Sequence, residues 1–247
     1  MFELTGRVAM VTGAGQGVGA GIATVLAEQG AAVAVNDVDP GRAQATVDSI
    51  VSVGGSAIAV PFDVTDHAAV VDGVAVATAA LGPVDVMVAN AGIPTAGMPQ
   101  LAFVDTEPEL WRRLIDLNLY GVLHCAHAAL PSMIERGWGR VIVISSEAGR
   151  FGLDINVALY GAGKAGAVGL LRHVAMEVAP MGVTMNALSL GLMDNNASEW
   201  ADAIAKTIPR RRLGSPTDIG AAVAFLASDA ADWITAQVLP INGGSHT

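Results

Sequence analysis

The chain has 247 residues, is 52% hydrophobic and only 4% aromatic, and carries a formal net charge of −10. An acidic surface excludes nucleic acid as a natural partner, because phosphate contacts are built from Lys and Arg. Cys125 is the only cysteine, which excludes an intrachain disulfide and makes the cytoplasm the expected compartment.

The length suits one α/β domain, 1–247, and the Ala, Val and Gly content suits buried parallel strands under small-residue helices. Two uncharged stretches, 8–27 and 86–104, are long enough to raise a membrane question. Thr12, Gln16, Thr24 and glycines interrupt the first, and Asn90, Pro94, Pro99 and Gln100 the second. No membrane span and no leader peptide are expected. His124-Cys125-x-His127 has no usual zinc spacing and no second ligand cluster, so no metal is expected.

A first strand is predicted at 7–12, an apolar run that stops at glycine. Gly13-Ala14-Gly15-Gln16-Gly17-Val18-Gly19 follows, then a helix through Ile22, Val25 and Leu26. In that context glycines let backbone approach a pyrophosphate, and the helix N-terminus offers N–H donors and partial positive charge. A plain glycine turn is the competing reading. The second strand, 32–36, ends at Asp37. A carboxylate there suits the adenosine ribose hydroxyls and repels a 2′-phosphate. The glycine turn holds no Arg or Lys, and none follows Asp37 before Arg42, so the pattern favours NAD over NADP. Asp37 as a turn residue is the alternative, although Asp39, ahead of Pro40-Gly41, fits a turn better.

Residues 41–53 read as a helix and 56–62 as a third strand, closed by Asp63-Val64. A carboxylate there suits the adenine amino group and a backbone N–H its ring. Asp63 equally suits the N-cap of the next helix, in competition with Thr65 and Asp66. The fourth strand, 84–89, runs into Asn90-Ala91-Gly92, a turn at the strand end where doubly wound sheets bind ligands. Asn90 is read mainly as a clamp on neighbouring backbone. Thr106-x-x-Glu109 reads as a capping box opening a helix that carries Trp111, Leu114, Leu117 and Leu119. Asn118, flanked by leucines, reads as a satisfied hydrogen-bond site, and Pro131 as a kink.

The fifth strand, 140–144, puts Ser145-Ser146 at its end, facing the cleft or serving turn chemistry. Tyr160 and Lys164 stand at i and i+4 on one helix face. A nearby cation favours the phenolate and brings proton exchange closer to neutrality. An aromatic packed beside a solvated Lys is the alternative. Gly161, Gly163, Gly166 and Gly169 on the same helix suggest close backbone approach, a second subunit being one candidate. A sixth strand is predicted at 183–188, a polar substrate flap at 192–212, a helix at 217–227 and a last strand at 238–241. Arg210-Arg211-Arg212 reads as surface or ion-paired.

Taken in order and spacing, Thr12-Gly13-x-x-x-Gly17-x-Gly19, Asp63-Val64, Asn90-Ala91-Gly92, Asn118, Ser146, Tyr160-x-x-x-Lys164 and Asn242-Gly243-Gly244 resemble the short-chain dehydrogenase/reductase family, across essentially the whole chain. The resemblance implies a Rossmann-like, doubly wound parallel sheet of seven strands in the order 3-2-1-4-5-6-7. It implies Tyr160 as general acid/base, Lys164 as the residue that binds the nicotinamide ribose and lowers the Tyr pKa, Ser146 as the group holding the substrate oxygen, and Asn118 as support for a water relay. Cofactor contacts are implied for Gly13, Gln16, Gly17, Val18, Gly19, Asp37, Asp63, Val64, Asn90, Gly92, Tyr160, Lys164, Gly191 and Asn195. Three positions depart from the family pattern: Gly163 replaces a Ser, Leu190-Gly191 a Pro-Gly, and Asn195 a Thr. The first weakens a secondary contact; the others leave cofactor affinity and loop order open.

The expected activity is hydride transfer between NAD(H) and a small-molecule secondary alcohol or ketone, in a homotetramer or else a homodimer. A 3-oxoacyl carrier-protein reductase is the alternative. Those usually prefer NADPH, carry Arg where Gln16 stands, and need a basic surface that a charge of −10 does not supply. A non-catalytic NAD-binding sensor or scaffold is the alternative from another class, and the intact Asn118, Ser146, Tyr160 and Lys164 set argues against it.

Overall fold

The computed structural model describes residues 2–95, 97–99, 101–194 and 201–246. Seven strands form one parallel sheet: β1 Val8–Val11, β2 Ala32–Val35, β3 Ser56–Ala59, β4 Val86–Ala89, β5 Gly139–Ser146, β6 Val183–Leu190 and β7 Val238–Ile241. Their order is β3-β2-β1-β4-β5-β6-β7, as expected. The helices are α1 Gly17–Glu28, α2 Pro40–Ser52, α3 His67–Leu81, α4 Pro108–Ile115, α5 Gly121–Arg136, α6 Ala158–Val178, α7 Ala201–Ala205 and α8 Pro216–Ala227.

Strand periodicity builds two cores. Val8, Met10, Met87, Val141, Val143 and Met185 face α3, α5 and α6. Their neighbours Ala9, Val11, Val86, Val88, Ile142 and Ile144 face α1, α2 and α8. Both faces are covered, so the central strands are apolar without alternating with polar residues. The chain reverses its direction of travel between β1 and β4, which opens a crevice beyond the strands' carboxyl ends.

Several local expectations change. β5 and β6 each run two residues beyond their predicted ends, because Ser145 and Ser146 pair with Ser189 and Leu190. Ser146 is therefore the last residue of a strand. The capping box at Thr106 does not form: Pro108 opens α4, and Glu107 at the N-cap makes no side-chain bond. Thr106 instead donates to the Phe103 carbonyl and accepts from Trp111 Nε1, both at 2.7 Å. The helix predicted through Leu119 is interrupted by a wider turn, Asp116–Tyr120, in which the Gly121 N–H reaches back five residues to Asp116. Pro131 lies inside α5, which continues to Arg136. Asp39 and Asp66, not Asp63, cap the helices that follow them. Within the predicted flap, α7 and the Arg212–Asp218 ion pair are described; Asn195 lies outside the described residues.

Candidate active site

The crevice begins at α1. Gln16, its N-cap, is extended and makes no side-chain bond to the first turn. Gly17 has φ +54, and a Cβ there would meet no described atom within 4 Å. The helix thus presents its N–H groups to open space, as an anion cradle requires. Asn90 holds the cradle's floor as expected. Its Nδ2 donates to the Thr12 and Gly13 carbonyls at 2.8 and 3.1 Å, while Thr12 Oγ1 accepts from the N–H of Asn90 and of Ala91. Buried Asn36 completes it, accepting from Gly13 N–H and donating to the Val60 and Phe62 carbonyls. Sequence reasoning passed over Asn36; the available signal was an amide at the end of an apolar strand, beside Asp37.

Asp37 is buried. One carboxylate oxygen accepts from the Gly15 N–H at 3.1 Å; the other accepts from the Asp39 N–H at 3.0 Å and pairs with Arg42 Nη2 at 2.9 Å. Arg42, five residues on, is folded back by the first turn of α2. The carboxylate expected to stand alone has a cation beside it. Asp63 is exposed and holds Thr65 through N–H and hydroxyl at 2.8 Å each. Val64 is buried, and its carbonyl meets His124 Nδ1 at 2.9 Å. Gly191 N–H donates to Ile241 at the end of β7.

At the other side of the crevice four predicted residues converge. The wide turn before α5 frees the Leu114 carbonyl, and Asn118 Nδ2 donates to it at 3.0 Å. Such turns recur at functional sites. Asn118 Oδ1 is buried without a hydrogen-bond partner among the described residues. A Cβ at Gly92 would stand 2.8 Å from that oxygen and 2.6 Å from Lys164 Nζ, so Gly92 leaves room for both. At Gly163 a Cβ would lie 2.7 Å from Asn118 Cβ. The departure from Ser therefore matches a close approach of α6 to Asn118. Gly161 and Gly166 likewise face Ala148 and Leu119 of this same chain, whereas Gly169 has no described atom in reach.

Lys164 is buried and donates to the Ile144 carbonyl at 2.8 Å. Burial lowers its pKa from 10.5 to about 8. Tyr160, one turn earlier, has its ring centroid 5.6 Å from Lys164 Nζ. The expected lowering of its pKa does not prevail: burial pushes the phenol up, and a hydrogen bond with Ser146 opposes this. Ser146 Oγ also accepts from the Ala148 N–H at 3.2 Å. Beside Ser146, buried Glu147 is gripped by Asn242 Nδ2 and by His246 Nδ1. Sequence reasoning had no signal for this contact, which joins residues nearly a hundred apart. Cys125 is a packed hydrophobe, its thiol pushed up to about 12 by burial.

A nicotinamide dinucleotide fits these features: an uncapped α1 N-terminus for pyrophosphate, Asp37 for a ribose, and the orphan Asn118 oxygen with Lys164 at the far end. Among the described residues no group of three or more metal-ligating side chains occurs, and no helix is long and apolar enough to cross a membrane.

The family model described as enoyl-(acyl carrier protein) reductase matches residues 13–246. Cis-4-hydroxycyclohexanecarboxylate dehydrogenase of Sinomonas cyclohexanicum is 39% identical over 243 residues, covering 96% of both chains. The 3-oxoacyl-[acyl-carrier-protein] reductase FabG of Staphylococcus aureus is 37% identical over 246 residues, 97% of this chain and 98% of that one. Among solved structures, a gluconate 5-dehydrogenase from Burkholderia cenocepacia in complex with NADP and tartrate superposes with a TM-score of 0.90 at 32% identity, covering 99% of this chain and 96% of that one. With matched sequence over nearly its full length, the expected strand order and the converging Ser146, Tyr160 and Lys164, this chain belongs to the short-chain dehydrogenase/reductase family of oxidoreductases.

Proposed function

We propose that the protein interconverts a secondary alcohol and its ketone with NAD(H), using Tyr160 as general acid/base. The observation that carries this reading is the convergence of Ser146, Tyr160, Lys164 and Asn118 at the carboxyl end of β5. The bound nicotinamide supplies or accepts the hydride. The chain's part is to place the substrate oxygen and move one proton. The Ser146 hydroxyl holds that oxygen. Tyr160 gives it a proton in reduction and removes one in oxidation. Lys164 puts a buried cation beside the phenol, and the free Asn118 oxygen accepts from a water or an ammonium that replenishes the proton.

Asp37 is proposed to bind the ribose hydroxyls, which favours NADH. Arg42 tempers the preference, because it neutralises part of the charge that would repel a 2′-phosphate. The carrier-protein reductase reading with NADPH gains support from that same cation. We assign the protein to a cytoplasmic homotetramer, or else a homodimer, packed through α5 and α6. Open Gly169 and exposed Met176 on α6 support a helix-to-helix contact. The deciding experiment is oxidation of NADH and of NADPH against a panel of ketones, with light scattering on the same preparation. No turnover with either cofactor would leave a binding protein; a monomer at micromolar concentration would refute the assembly.

A further inference from the structure

The cleft that abuts Tyr160 is walled by Met98, Leu101, Phe103, Leu110, Leu114 and Val157. No Lys, Arg, Asp or Glu lines it among the described residues, and besides Tyr160 its polar side chains are Thr106 and Asn156. Thr106 is already committed, donating to Phe103 and accepting from Trp111. Phe103 stacks on the Trp111 ring at 5.8 Å and 20°, which stiffens one wall. The free space is about 20 Å³, roughly enough for one water. An apolar lining behaves this way: its walls gain by closing on each other when no apolar guest is present. A cleft meant for a polyhydroxylated guest needs donors and acceptors aimed inward, since each hydroxyl must find a partner after leaving water.

We infer that the substrate carries its carbinol or carbonyl carbon on an uncharged, apolar body, an alicyclic or branched alkyl group, and is not a sugar acid or other carboxylate. This rests on the oxidoreductase reading of the same site. The ring of a hydroxycyclohexane matches such walls in chemistry and must part them to enter; a carboxylate on that ring would find no cation among the described lining residues.

Three ketones test it with either cofactor: cyclohexanone, 4-oxocyclohexanecarboxylate and fructose. The expected kcat/KM for cyclohexanone exceeds that for fructose by about 10²-fold or more, the scale on which an apolar pocket rejects hydroxyls. It also exceeds that for the carboxylate. Leu110→Arg is expected to reverse the order of cyclohexanone and its carboxylate. In parallel, cyclohexanol and its polyhydroxy twin inositol are titrated against tryptophan emission in the presence of NAD, with Trp111→Phe identifying the responding ring. Saturable quenching by cyclohexanol and none by inositol supports the inference. Preference for fructose or the carboxylate, or quenching by inositol at equal concentration, overturns it while the oxidoreductase reading stands. Quenching by cyclohexanol with no ketone reduced overturns the oxidoreductase reading and leaves the apolar guest in place.

Discussion

Lys164 donates its ammonium to the backbone carbonyl of Ile144 across 2.8 Å, in the interior of the protein. One carbonyl dipole is a partial answer to a full charge, and burial therefore lowers the Lys164 pKa to about 8. The cost is tolerated at a place where a cation stands one helical turn from a phenol.

Lys164→Met is expected to separate stability from function. In the folded protein the ammonium titrates near 8, in the unfolded chain near 10.5. Below pH 8 both states are protonated, and the fold carries the whole penalty of the buried charge, on the order of 3 kcal/mol before the lost Ile144 contact is counted. As pH rises from 8 to 10.5 the folded state sheds its proton first, and wild-type stability rises. The Met variant, free of the charge, is expected to melt at or above the wild-type temperature at pH 7, with the advantage shrinking across that window. Its turnover is expected to fall by at least about 10²-fold. Melting curves at pH 7 and 9.5 check the sign; a variant destabilised equally at both would refute the account.

Tyr160→Phe is expected to lose about 10²–10⁴-fold in turnover while NADH binding stays within a few-fold, because only the proton donor is removed. Burial holds the phenol protonated. Ketone reduction should therefore keep its rate through neutral pH, and alcohol oxidation should quicken as the pH climbs. Rates in both directions from pH 6 to 10 measure this.

The pair Asp37 and Arg42 sets cofactor choice in a graded way. Asp37→Ala leaves the guanidinium with only its longer, 3.8 Å contact to Asp39 and is expected to raise kcat/KM for NADPH by about 10-fold or more. Arg42→Ala leaves the carboxylate uncompensated and is expected to widen the preference for NADH. Fluorescence titration of both cofactors, with no substrate present, gives the same order without relying on turnover. Should Arg42→Ala improve NADPH binding, the guanidinium does not act on the ribose site.

Gly163→Ser restores the family's usual residue but places a Cβ 2.7 Å from Asn118 Cβ. Overpacking of this kind costs about 1–3 kcal/mol. Both melting temperature and turnover are expected to drop, because α6 and Asn118 must move apart. An unchanged melting temperature would mean that the turn Asp116–Tyr120 shifts freely.

Most strand positions were legible in the residue pattern, and the order of the strands came from the family resemblance. Apolar runs ending at glycines or polar residues, alternating with helical stretches, permit a doubly wound sheet, and β1, β2, β4 and β7 fall within two residues of their expected positions. Tyr160 and Lys164 were legible because a helix fixes what i and i+4 can do. Contacts that depend on how the packed elements turn back on one another were not, because neither local pattern nor position in the chain reports them. Arg42 reaches Asp37 only once α2 has turned back, Glu147 meets His246 from the far end of the chain, and Gly163 has its reason in Asn118 forty-five residues earlier. The direction of the Tyr160 pKa was likewise beyond the motif. The motif supplies a neighbouring charge, whereas burial, which acts in the opposite sense, is a property of the packed protein.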